Sequence, residues 1–156
     1  MGGRGSGSRM ANKMASSRGG SVTTETHNIH GTNVDRIVAD NVQSASAAID
    51  RAPFTTTQNS DWNYDPSKDS PGKMTHYDEE VMAARVNNRA GSVEVEHRIL
   101  GDGTELYSVS ANPSTMRSME VEYTRGRSNT RSGYLFNSRE EARQTARRAL
   151  KIEIGG

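Results

Sequence analysis

The side chains through which this chain could do chemistry are four histidines, an acidic triplet and a set of clustered arginines; it has no cysteine. Without cysteine there is no thiol nucleophile, no thiolate metal site and no disulfide framework. His27 and His30 stand three apart with Asp35 nearby, a loose metal-ligand spacing. They fall in a polar stretch and no second pair follows at ligand spacing, so no metal site is expected. His97 lies on the apolar phase of an alternating segment, which predicts a buried, hydrogen-bonded histidine. His76 reads as a surface residue at a helix start. Asp78, Glu79 and Glu80 offer paired carboxylates, but in a first helical turn they are explained by the positive end of the helix dipole. Lys73 follows Gly72, yet Ser67 and Met74 stand where a phosphate loop needs Gly and Ser or Thr. The expectation is a non-enzymatic protein with no catalytic residue, cofactor or metal.

The arginines carry the alternative chemistry. Arg125, Arg127 and Arg131 share a segment with Gly126, Ser128, Asn129 and Thr130. Arg139, Arg143 and Arg147 follow at i, i+4, i+8 on one helix face, joined by Arg148 and Lys151. Such a ridge can grip phosphates in bidentate fashion. Tyr134 and Phe136 would stack on bases if exposed, or pack in the core if their strand is buried. A second reading of the same residues is surface charge or a protein interface: Arg143 can pair with Glu140, and Arg147 and Arg148 suit the negative helix end.

The net charge of +1 hides an asymmetry. Residues 1–24 carry four basic groups (Arg4, Arg9, Lys13, Arg18) and no acidic one. Residues 25–124 carry 8 basic against 16 acidic, and residues 125–151 carry 8 basic against 2 acidic. Clustered Arg releases counterions from a polyanion; alternatively, it complements the chain's own acidic middle.

These residues need elements to hold them. Hydrophobic residues make up 31% of 156, so a core must be concentrated in part of one domain-sized chain. The Gly/Ser/Arg leader over residues 1–21 has no hydrophobic period and is expected to be disordered. Residues 22–91 read as a helical and loop region. Ser21 to Thr26 alternates weakly. Val34, Ile37, Val38, Val42, Ala45 and Ile49 make one stripe, predicting a helix over 33–52 capped by Thr32 or Asn33 and stopped by Pro53. Phe54 to Gly72 reads as a loop whose Trp62 and Tyr64 either fold onto the core or form an exposed contact. A short helix is expected over 75–86.

Residues 92–156 read as a ββββα unit. Val93, Val95, His97 and Ile99 alternate with Glu94, Glu96, Arg98 and Leu100 as a half-buried strand. Gly101-Asp102-Gly103-Thr104 is a hairpin turn returning into a strand over 106–111. Met119, Val121 and Tyr123 alternate with Glu120 and Glu122 as a third strand, and Tyr134 to Phe136 makes a fourth. Ser138 with Glu141 is a capping box that opens a helix burying Ala142, Ala146, Ala149 and Leu150. The fold class expected is α+β: an antiparallel meander of three or four strands with a C-terminal Arg-rich helix, one or two N-terminal helices and a disordered leader.

The leader Met1-Gly2-Gly3-Arg4-Gly5 resembles the start of many small phage-encoded proteins. Phe136-Asn137-Ser138-Arg139-Glu140-Glu141-Ala142, following strands, resembles the strand-to-helix junction of the phage integrase arm-binding domain, whose fold is similar to the plant AP2 DNA-binding module. That resemblance covers residues 92–150 and implies a small DNA-binding βββα unit of a mobile element. Three functions are therefore expected. The first is an accessory protein of a phage or mobile element, binding nucleic acid through the leader and the arginines from Arg125 to Lys151. The second is a protein-binding inhibitor of a host defence nuclease, of the anti-CRISPR or anti-restriction type, with Glu94, Glu96, Glu120 and Glu122 imitating nucleic acid. The third is a virion structural component. No run approaches a membrane span and the first residues are not a secretory signal, so a cytoplasmic protein is expected.

Overall fold

The computed structural model describes residues 21–119 and 135–156. Arg125, Arg127, Arg131, Tyr134, Glu120, Glu122 and all but the last residue of the leader lie outside them. Six strands and three helices are described: β1 (Val22–Ile29), β2 (Thr32–Ala39), α1 (Val42–Arg51), β3 (Thr55–Asp61), β4 (Met74–Val86), β5 (Arg89–Leu100), β6 (Glu105–Ser110), α2 (Pro113–Ser118) and α3 (Arg139–Glu153). The class is α+β, as expected, but the sheet is mixed and larger than a three- or four-strand meander.

Three expectations for the first half are corrected. The first seven residues of the expected 33–52 helix are strand. His30 and Gly31 both have positive φ, 52° and 84°, which closes β1 and β2 into a tight hairpin. The β-branched Thr32, Val34, Ile37 and Val38 suit that strand, and their helical spacing is coincidental. The helix begins at Val42, where Asn41 rather than Thr32 or Asn33 accepts a hydrogen bond from the Ser44 N–H. The expected loop at 54–72 contains β3, whose threonines pair with β4. The expected helix over 75–86 is β4, a strand of 13 residues at the centre of the sheet.

The sheet runs β1-β2-β4-β5-β6. Strand β2 pairs parallel to β4 at Ile37–Ala39 against Ala84–Val86, and β3 pairs antiparallel to the earlier part of the same edge, from Thr55 opposite Val81 to Asp61 opposite His76. Because β3 holds that edge, the turn end of the β1–β2 hairpin leaves it and reaches over one sheet face. Strands β4 and β5 pair along nearly their whole length, so the sheet continues across position 91.

In the second half the hairpin and the C-terminal helix follow expectation, whereas α2 was not expected. Strand β5, the turn and β6 form the hairpin, and Phe136 bridges Tyr107. Met119, expected in a third strand, ends α2 instead. Ser138 caps α3 by accepting from the Glu141 N–H, while the Glu141 carboxylate accepts from the Asn137 N–H. Ala142, Ala146, Ala149 and Leu150 are fully buried against Val93, Val95, Val109, Met82, Ala84, Ala45 and Ile49. Trp62 is 45% exposed and does not pack on the core. Among the described residues no helix is long and apolar enough to cross a membrane.

Candidate functional site

Alternation along a strand sends successive side chains to opposite faces. In β4, His76, Asp78 and Glu80 point to the face covered by α1 and α3, with Met82, Ala84 and Val86 continuing that row into the core. Tyr77 and Glu79 point to the other face, above which the β1–β2 turn lies. The acidic triplet is thus divided between two polar clusters, back to back through one strand.

On the helix-covered face five groups form a chain across four strands. Asp61 Oδ1 lies 2.7 Å from His76 Nδ1, and His76 Nε2 lies 2.7 Å from Asp78 Oδ2. The same Asp78 oxygen is 2.8 Å from His97 Nδ1, and His97 Nε2 is 2.8 Å from Glu105 Oε1. Registry places His97 beside Asp78 across β4–β5, and Tyr107 beside His97 across β5–β6. The Tyr107 ring stacks on His97 at 4.4 Å with 7° between planes. Arg139, in the first turn of α3, donates to both Asp78 oxygens at 3.0 and 3.2 Å and lies 3.1 Å from His97 Nδ1. Arg143 clamps Glu80 with two guanidinium nitrogens.

The electrostatics follow from these contacts. Burial acts to raise the Asp78 pKa, but hydrogen bonds from Arg139, His76 and His97 outweigh it and hold the carboxyl at about 2. Hydrogen bonds to Asp61 and then Asp78 raise the His76 pKa. Glu105 is lowered by His97 and Tyr107. Among the described residues, Asp61, Asp78, Glu80 and Glu105 are met by two guanidinium groups, Arg139 and Arg143. A proton on each imidazole balances the rest; so does one divalent ion on two neutral rings. In the neutral case the protons on His76 Nδ1 and His97 Nε2 serve Asp61 and Glu105. His76 Nε2, Asp78 Oδ2 and His97 Nδ1 then offer three lone-pair atoms that lie within 4.8 Å of one another.

The second face is different. His30 Nε2 lies 2.7 Å from Glu94 Oε2 and 3.5 Å from Glu79 Oε2. Thr57 donates to Glu79 Oε2 at 3.0 Å, and the Tyr77 hydroxyl donates to Glu79 Oε1 at 2.9 Å. Ser108 donates to Glu96 Oε1 at 3.0 Å, with the Arg98 guanidinium 3.7 Å from the same oxygen. Glu79 and Glu96 are directly opposed across β4–β5 and both are buried. Burial raises the Glu94 pKa despite its bond to His30. The Glu94 carboxylate, ahead of burial's opposing effect, raises that of His30. Burial, then the charge of Glu96, raises the Tyr77 pKa.

The residues singled out from sequence fall as follows. Arg139 and Arg143 face inward onto carboxylates. Arg147 donates to the Ile49 and Ala52 carbonyls at the end of α1 and lies over the Phe54 ring. Lys151 pairs with Asp50 at 2.7 Å. Arg148 is exposed. Glu94 is part-buried and Glu96 buried, both engaged within the second-face cluster. His97 is buried and bonded, as its strand phase predicted; His76, expected on the surface, is half-buried beside it. His27 and His30 do not converge with Asp35; His30 joins Glu79 and Glu94 instead. The clusters went unseen because His76-x-Asp78 shares a face only in a strand, and 75–86 read as a helix. No protein-family model matches the chain, and no curated protein or solved structure matches it either.

Proposed function

We propose that this is a divalent-metal-binding protein whose ion is held by His76 Nε2, Asp78 Oδ2 and His97 Nδ1. The observation that supports the reading is that both imidazoles carry a carboxylate on the nitrogen facing away from Asp78. In metal sites such a partner fixes the tautomer that frees the other nitrogen and raises its basicity. Two imidazoles and one carboxylate suit Zn²⁺, Fe²⁺ or Mn²⁺, and three protein ligands leave further positions to water or to a partner's donor. Arg139 lies beside the same atoms. On ion binding it gives up His97 Nδ1 and keeps Asp78 Oδ1 and Glu80, whose Oε1 is 3.5 Å away. Calorimetric titration of the full chain with Zn²⁺ at pH 7.5 tests this. Binding that weakens at least about a hundredfold in His97→Ala supports it, and unaltered affinity in that variant would overturn it.

A second reading keeps the role of a nucleic-acid-binding accessory protein of a phage or mobile element, supported by the charge asymmetry alone. With Arg139 and Arg143 held by carboxylates, phosphate contact falls to the leader, to Arg125, Arg127 and Arg131, and to Arg148. Removing residues 1–21 should then weaken binding to DNA or RNA and flatten its salt dependence. Unchanged affinity would sink this reading.

A further inference from the structure

We propose that the ion on the helix-covered face takes a ligand bearing a carboxylate or phosphate group, gripped between the ion and the guanidinium of Arg139. The ligand class rests on the metal site proposed for His76, Asp78 and His97 and deepens it. The observation that carries it is a nitrogen with two claimants. His97 Nδ1 lies 2.8 Å from Asp78 Oδ2 and 3.1 Å from Arg139 Nη2.

A neutral imidazole has one nitrogen that accepts, and that nitrogen has one lone pair. An ion bound to His97 Nδ1 takes it, and the Nη2 hydrogen directed at it is left without that acceptor beside the ion. The guanidinium stays where it is. Its Nη1 donates to Asp78 Oδ1 at 3.0 Å with Glu80 Oε1 3.5 Å away, and its carbon lies 5.5 Å over the Tyr107 ring. A charged donor held in place without its acceptor costs free energy until an oxygen reaches it. Water on the ion can offer one oxygen. An oxyanion offers one to the ion and a second to the guanidinium, and brings negative charge to both.

Charge points the same way. Asp61 and Glu105 are exposed, so water screens them. Inside, among the described residues, the buried Asp78 and Glu80 face Arg139, Arg143 and the ion. Two negative charges then meet four positive ones, an excess that a bound anion reduces. The way in is also marked. Of the three residues that meet Asp78 Oδ2, Arg139 has the most exposed side chain, 27% against 17% for His76 and 8% for His97. The ligand therefore arrives on the guanidinium's side.

Visible absorption of the Co²⁺-loaded full chain reads metal and anion separately, because the bands of bound Co²⁺ shift when a further ligand joins it. Acetate and inorganic phosphate, added at constant ionic strength, should shift the bands to saturation; a response to one of them alone names the group the site takes. Arg139→Gln should hold Co²⁺ at least as tightly as the unaltered chain, yet bind the anion at least about tenfold more weakly. Arg139→Lys, which keeps the charge without the planar fork, should fall between. If Co²⁺ is held and neither anion shifts its bands, or both bind Arg139→Gln as they bind the unaltered chain, this inference is overturned and the metal site stands. Weakening of metal and anion together in Arg139→Gln would mark a structural role for Arg139 and also overturn it. If the unaltered chain does not bind Co²⁺, or His97→Ala binds it equally well, the metal site and its ligand fall together.

Discussion

The two faces of β4 solve the same problem with different means. On the helix-covered face four carboxylates are met by two guanidiniums anchored on α3 and by two imidazoles wedged between carboxylates. On the other face, among the described residues, Glu79 and Glu94 meet the imidazole of His30 on a hairpin turn, Glu96 meets Arg98 and Ser108, and Glu25 is held by Arg36 and Arg85. The first cluster can reach neutrality with protons alone, so a metal there competes with protons and with Arg139. The second can take up protons too, because burial raises the Glu94 pKa and the Glu94 carboxylate raises that of His30. The difference shows that a trio of ligand-type side chains within reach of one another does not by itself decide for an ion. The charges already present around it do.

The comparison can be broken at several points. The largest effect on stability is expected from Arg143→Met, which keeps the stem over Phe54 and leaves Glu80, 6% exposed in its side chain, without its clamp. Loss of one partner of a buried pair costs several kcal/mol, and partial exposure of Arg143 reduces this to about 2–3 kcal/mol. Urea unfolding measures it.

Next comes pH. Asp78 falls from its ordinary 3.8 to about 2 on folding, so it contributes about 2 kcal/mol above pH 3.8, lost as pH falls towards 2. His76 is raised from 6.5, so in the metal-free protein its contribution is full below pH 6.5 and is lost as pH rises through the folded pKa. Bound metal reverses the second trend, because the ion requires the unprotonated ring. Metal-free protein should therefore lose stability with rising pH across the histidine range while Zn²⁺-loaded protein gains it. Parallel profiles would deny the exchange of protons for metal.

Arg139→Gln removes a positive charge beside the metal site. Zn²⁺ affinity there should rise about tenfold, a change of about 1.4 kcal/mol. Ser138→Ala has the smallest expected effect. It removes the cap of α3, costing about 1 kcal/mol, and loosens the turn that presents Arg139. Zn²⁺ affinity on the helix-covered face should change slightly.

What was legible in the sequence was local. The β5–β6 hairpin announces itself through strict alternation and an Asp-Gly turn, and α3 through Ser138 and its alanine stripe. Each is specified by neighbours along the chain. Strand β4 was not legible because both of its faces are covered and its first half is polar on both. Asp78, Glu79 and Glu80 break the alternation that marks a half-buried strand, although only Asp78 and Glu80 share a face. Strand β2 was hidden because Val34, Ile37 and Val38 happen to continue the stripe of α1. The sites followed from those two errors. His76 and Asp78 converge only once β4 is a strand, His97 joins them only through its register, and His30 reaches Glu94 only because β3 displaces β2 from the sheet edge.

The most direct test reads the imidazole nitrogens themselves. In ¹⁵N-labelled full-length protein at pH 7.5, long-range ¹H–¹⁵N correlation spectra distinguish protonated, bare and metal-bound ring nitrogens. On addition of Zn²⁺, His76 Nε2 and His97 Nδ1 should move to metal-bound positions, while His76 Nδ1 and His97 Nε2 keep their protons against Asp61 and Glu105. If both rings stay doubly protonated or their nitrogens do not respond to Zn²⁺, the chain from Asp61 to Glu105 is a structural ion network and the metal reading is wrong.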